Sequence, residues 1–119
     1  MLTVYAYDKC SSCRDAIKWL NANGIPYQVK AIRETPPSIA EFESALEMLN
    51  GDLRKLWNTS GVDYRALGIK DLLPTLSREQ ALELLASNGN LVKRPFVIGK
   101  KVALTGFKSE VWAAALQSA

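Results

Sequence analysis

The stretch YDKCSSCRDAIKWL, residues 7–20, decides how this chain is read. It sets Cys10 and Cys13 three apart, where a strand-like run from Leu2 to Tyr7 gives way to a helical one. From Ser12 to about Asn21 the apolar positions Cys13, Ile17 and Leu20 recur at helical spacing with Ala16 alongside, and Gly24 ends the helix. Three readings are open for such a cysteine pair: a redox couple, half of a metal site, or inert packing.

Composition narrows them. The chain has 119 residues and no histidine, so it holds neither a Ser/His nor a Cys/His nucleophilic pair. A structural zinc site lacks imidazole and a second pair of thiolates, and would need carboxylates or a second copy of the chain. No run approaches the roughly 20 apolar residues of a membrane span, and the first residues do not form a secretory signal. The expected compartment is therefore the cytoplasm, where a close cysteine pair is redox-active or metal-binding more often than a standing disulfide. A net charge of +3, with no cluster of five or six Lys or Arg, points away from direct nucleic-acid binding.

Working outward, Ile25 to Ile32 reads as a second strand, completing a strand-helix-strand unit whose strands should be parallel and whose crossover should be right-handed. A helical middle follows. Ser38 with Glu41 forms a capping box for a helix that carries Ile39, Phe42, Leu46 and Leu49 on one face. Short helical segments are expected at Leu53 to Trp57 and Tyr64 to Leu67, the latter closing at Gly68. Ser77 with Gln80 opens another helix, through Leu84 and Leu85, that stops at Asn88-Gly89. Phe96 to Ile98 and Lys101 to Leu104 then flank Gly99-Lys100, a two-residue hairpin turn of the Gly-X type. A last helix spans about Lys108 to Gln117, with Val111, Trp112 and Leu116 available for packing.

This order, with a CxxC at the first strand-to-helix junction and a proline before the third strand, resembles the thioredoxin fold. More narrowly, the chain resembles the arsenate reductase and Spx family, on YDKCSSCRDAIKWL, NGIPYQVK, ETPPS, WNTSGVDYRALGIKD, KRPFVIGKKVALTGF and EVW. The implied fold class is α/β: a β-α-β and β-β-α core with a helical insert between the second and third strands. One domain is expected over residues 1–119, with the core at 1–33 and 91–119 and the insert at about 34–90.

The residues themselves assign the two thiols. A helix beginning near Ser11 or Ser12 would turn unpaired N–H groups and its positive end toward Cys10, with Lys9 and Arg14 adding positive charge. Thiols so placed in CxxC motifs titrate at roughly 3.5–7.5, against about 8.5 for free cysteine. Cys10 is then the nucleophile, and Cys13, one turn further in, the resolving thiol.

The resemblance adds Pro95, cis and lying against the redox motif, against the alternative of an ordinary trans proline at a strand entrance; beside it Arg94 is a holder of an anionic substrate, an electrostatic partner of a thiolate, or a solvated charge. It also implies that arsenate reductases of the family ring one cysteine with three arginines. Only Arg94 matches; Asn58 and Phe107 stand at the other positions. Arg54, Lys55, Lys93 or Lys108 could substitute, although lysine lacks the planar fork that suits an oxyanion.

Three functions follow. One is a thiol-disulfide oxidoreductase acting on protein or small-molecule thiols, with no bound cofactor and an external reductant such as glutathione, glutaredoxin or thioredoxin. The others are a Spx-like redox regulator that binds the RNA polymerase α-subunit, and an arsenate reductase.

Overall fold

Strand β1 (Leu2–Ala6) lies between β2 (Tyr27–Ala31), parallel to it, and β3 (Phe96–Ile98), antiparallel. With β4 (Ala103–Thr105) they form one sheet in the order β2-β1-β3-β4. The structure is a computed structural model and describes residues 1–117. Among the described residues six α-helices accompany the sheet: α1 (Ser11–Ala22), α2 (Ile39–Met48), α3 (Val62–Ala66), α4 (Ile69–Leu72), α5 (Arg78–Ser87) and α6 (Ser109–Leu116). This is the thioredoxin-like α/β arrangement expected from the sequence.

Strand alternation divides the core in two. Leu2, Val4 and Ala6 point to the side of α1 and α6, where they meet Ala16, Leu20, Val97 and Trp112. Tyr5, Phe96 and Ala103 point the other way and meet the helical insert at Phe42, Leu46, Leu82 and Leu85. An aromatic chain carries that second contact, with Phe96 5.9 Å from Tyr5 and 5.3 Å from Phe42 between ring centroids.

The expected capping boxes at Ser38/Glu41 and Ser77/Gln80 are both present. Glu41 does a second job: its carboxylate also accepts a 2.7 Å hydrogen bond from the buried Tyr5 hydroxyl, tying the start of α2 to the central strand. Backbone bonds tie the insert to the segment that leads into β3. Asn58 N–H donates to Leu91 O at 2.8 Å, and Lys93 N–H donates to Leu56 O at 2.8 Å. Gly89 lies flat against the end of β2, so close that a Cβ there would overlap the Ile32 carbonyl.

Several boundaries differ from the sequence expectation. The second strand begins at Tyr27 rather than Ile25, and Val111, expected to pack, is 51% exposed. The hairpin turn is shifted by one residue: Gly99 N–H donates to Val102 O at 2.9 Å, which leaves Lys100 and Lys101 at the tip. The antiparallel register with Ile98 opposite Ala103 imposes that shift, because slipping it would turn Leu104 out of the α1/α6 core. The helix expected at Tyr64 to Leu67 begins at Val62, and α4 follows directly after Gly68, which adopts φ +63°.

Gly89→Ala is expected to destabilise the chain by about 1–3 kcal/mol, the cost of forcing an added methyl into a closed contact. Urea unfolding followed by circular dichroism checks it as a lowered midpoint; an unchanged midpoint would show that the Ile32 backbone yields.

Candidate functional site

The CxxC lies where β1 runs out and α1 begins. Cys10 is the N-cap of α1, with extended backbone (φ −96°, ψ 117°). In place of the usual Ser, Thr, Asp or Asn oxygen, its sulfur accepts the Cys13 N–H at 3.4 Å. The Cys10 N–H is held by Tyr7 O at 3.0 Å, and its carbonyl accepts from Arg14 N–H at 3.1 Å. No acidic side chain occupies the first turn of α1, so nothing there opposes negative charge on this sulfur.

Cys13 differs in kind. It is 1% exposed, on the stripe of α1 that also buries Ala16 and Leu20. Burial pushes its thiol from 9.0 up to about 12, with the Cys10 sulfur adding to the rise and the Tyr7 backbone and the Arg94 charge opposing it. Cys10 is the half-exposed member of the pair.

Tyr7 organises what surrounds them. Arg33 and Arg94 both stack on its ring, at 4.9 and 5.3 Å from the centroid, and Arg33 also donates to the Tyr7 hydroxyl at 3.0 Å. Arg94 is half-buried, and its charge acts on the Cys13 thiol. It lines a cleft of about 270 Å³ with Tyr7, Arg33, Asn58 and Asp63. Asp63 is held below its usual range by hydrogen bonds from Asn88 and Asn90 and by the charge of Arg33. The Arg94-Pro95 bond is cis and Pro95 is buried.

The other expected residues divide. Arg14 is exposed and lines a cleft of about 490 Å³ with Cys13, Tyr7 and Glu34. Lys9 is exposed and lines none of the clefts around the thiols. Asn58 is used structurally, its amide donating to Asn90 O at 3.4 Å and its backbone to Leu91. Phe107 packs edge-on against Trp112 at 5.0 Å and tilts against Trp19 at 6.4 Å. Tyr7 and Arg33 escaped the sequence reading, since only the parallel register that sets Ala6 opposite Ala31 carries Arg33 to Tyr7.

The family model described as ArsC family matches residues 5–115. The chain is 43% identical over 109 residues to the "Uncharacterized protein YusI" of Bacillus subtilis (strain 168), covering 92% of each. It is 30% identical over 110 residues to the "Global transcriptional regulator Spx" of Listeria innocua serovar 6a, covering 92% of this chain and 82% of that one. Among solved structures it superposes on a possible arsenate reductase from Streptococcus mutans UA159 with a TM-score of 0.86 and 39% identity, over 99% of this chain and 96% of that one.

Iodoacetamide at pH 8 is expected to label Cys10 in the folded protein and to spare Cys13 until urea unfolds it, as peptide mass mapping would read. Stability should carry the same signature. The folded chain keeps the Cys13 proton up to about pH 12, whereas an unperturbed thiol releases it near 9.0. Between those values the folded state binds more protons, so stability falls as pH rises. The urea midpoint should therefore drop more steeply between pH 9 and 11 in the wild type than in Cys13→Ala; equal slopes would show that the Cys13 proton is not held.

Proposed function

The chain belongs to the ArsC family, and we propose that it is a thiol-disulfide redox protein in which Cys10 attacks and Cys13 resolves. The observation that carries the reading is the sulfur cap: Cys10 Sγ occupies the N-cap of α1 and accepts the Cys13 N–H, while Cys13 is buried behind it. A charge that develops on Cys10 meets the unpaired N–H groups of the first turn of α1, while the Arg94 guanidinium held on Tyr7 acts on Cys13.

The exchange balances within the pair. The Cys10 thiolate attacks one sulfur of a disulfide; that bond breaks, and the distal sulfur leaves as thiolate. Cys13 then gives up its proton and attacks Cys10 Sγ, releasing the second thiolate and leaving the protein oxidised by two electrons. An external thiol such as glutathione, glutaredoxin or thioredoxin returns it to the dithiol. Turnover of this kind suits a reducing compartment such as the cytoplasm.

A second reading rests on the likeness to the Listeria Spx protein over 92% of this chain. In it the same pair is a switch for a regulator that binds the RNA polymerase α-subunit. Arsenate reduction is disfavoured by the two positions where the family resemblance expects arginine. Phe107 is spent on the Trp19 and Trp112 rings, and the Asn58 amide on the Asn90 carbonyl.

Cys13→Ser is expected to accumulate mixed disulfides through Cys10, and Cys10→Ser to trap almost none, when each is expressed in cells and resolved on non-reducing gels. Reversed trapping would exchange the roles. Recovery of polymerase without any disulfide-linked partner would favour the regulator. With glutathione and glutaredoxin supplied, arsenate-dependent thiol oxidation is expected to be weak or absent; saturation at low arsenate would restore the reductase.

A further inference from the structure

Arg94 also lines a second cleft, of about 410 Å³, walled by β4, the turn after it and the first turns of α1 and α6. Four cations face it, Lys55, Lys93, Arg94 and Lys108, and no carboxylate does. The whole chain carries a net charge of only +3, so this is a local concentration of charge. Among the described residues none of the four is ion-paired. The floor is apolar, with Leu104 and Trp112 beneath and Val111 51% exposed.

We propose that this cleft docks the acidic flank of a polypeptide, so that protein disulfides neighboured by Asp and Glu are the preferred partners of Cys10. The inference rests on the thiol-disulfide reading above and names its substrate class.

Three features select an acidic peptide. The cations come from three separate segments: the turn at Leu53–Leu56, the pair Lys93-Arg94 before β3, and Lys108 at the cap of α6. Three of them are lysines, point charges suited to carboxylates spaced along a chain rather than to one compact oxyanion. Secondly, β4 is the outer strand of the sheet. Its bonded positions toward β3 include Val102 and Gly106, whose partners are Gly99 and Pro95. Alternation along an antiparallel ladder then directs the Thr105 N–H and C=O to the open edge, where an extended segment can pair. Thirdly, the aromatic groups are occupied. Trp112 is 1% exposed, its Nε1–H donating to Gly106 O at 3.1 Å and its ring meeting Phe107 edge-on, so it offers no free face for stacking a nucleic-acid base.

The chemistry is the exchange already written. The partner's disulfide gains two electrons and becomes two thiols, while Cys10 and Cys13 become a disulfide, with no other oxidant or reductant in a single turnover.

Two peptides of one length, each with one internal disulfide, test this: one with glutamates in its flank, the other with glutamines at the same places. Mixed with pre-reduced protein and quenched for mass spectrometry, the acidic peptide should oxidise the protein about tenfold faster at low salt, the lower range of electrostatic steering. The ratio should fall toward one in about 0.5 M salt, where charges are screened within a few ångströms. It should likewise fall toward one in the K55Q/K93Q/K108Q variant, with circular dichroism confirming its fold. A labelled acidic peptide with serine for cysteine, titrated by anisotropy into the C10S/C13S double variant, reports docking without thiol chemistry. Binding there with no exchange in the wild type would uphold the docking and overturn the redox reading. Absence of a charge preference in both arms would overturn the docking. So would glutathione disulfide losing as much rate as the acidic peptide in the lysine variant, or a single-stranded oligonucleotide binding more tightly than the acidic peptide.

Discussion

Strand β1 is hydrogen-bonded along both edges and buried on both faces, and every other part of the molecule takes its place from it. Val4 and Tyr5, adjacent in sequence, are 0% and 1% exposed because one faces α1 and α6 and the other faces the insert. A strand in that position cannot slip by one residue without turning both sets of side chains into the wrong core. Its end is therefore a fixed point, and the chain leaves it through Tyr7 into Cys10.

The site inherits its precision from that fixed point. Tyr7 uses its carbonyl to hold the Cys10 N–H and its ring to hold two guanidinium groups, so the residue that follows the strand aligns the α1 N-terminus and Arg94 together. Cys10 and Cys13 then diverge by one helical turn: one sulfur at the mouth of the helix, the other on its buried stripe. Burial, with the Cys10 sulfur adding to it, opposes ionisation of Cys13, as the proposed resolving role requires while that thiol waits. In the proposed exchange its proton leaves when Cys10 becomes disulfide-bonded, and the Arg94 charge acts in that direction.

The insert is built by local rules and placed by distant ones. Its two long helices start at capping boxes that any reader of Ser-x-x-Glu and Ser-x-x-Gln would find. Where they sit depends on contacts of large sequence separation: Tyr5 to Glu41, Phe96 to Phe42, and Gly89 against Ile32. That placement brings Lys55 to the cleft that Lys93, Arg94 and Lys108 line from the sheet side.

Short-range chemistry therefore made much of this protein legible before its structure was known. The 3.6-residue spacing of Cys13, Ala16 and Leu20, the glycine that stops α1, the capping boxes and the order of strands and helices are written within windows of a few residues, and the fold class follows from that order. The CxxC at the helix start was legible for the same reason, since an N-cap is a local event. What lay beyond the sequence required pairing or packing across the chain. The hairpin turned at Lys100-Lys101 rather than Gly99-Lys100 because sheet register outranks the preference of one dipeptide. Val111 stayed exposed because helical spacing names a face but not what covers it. Arg33 reached Tyr7 across 26 residues only through the parallel register of β1 and β2, and Asn58 and Phe107 found backbone and aromatic partners that no local pattern announces. Local hydrogen bonding and periodicity act over a turn or a strand, whereas the neighbours of a side chain are chosen by the packing of the whole molecule.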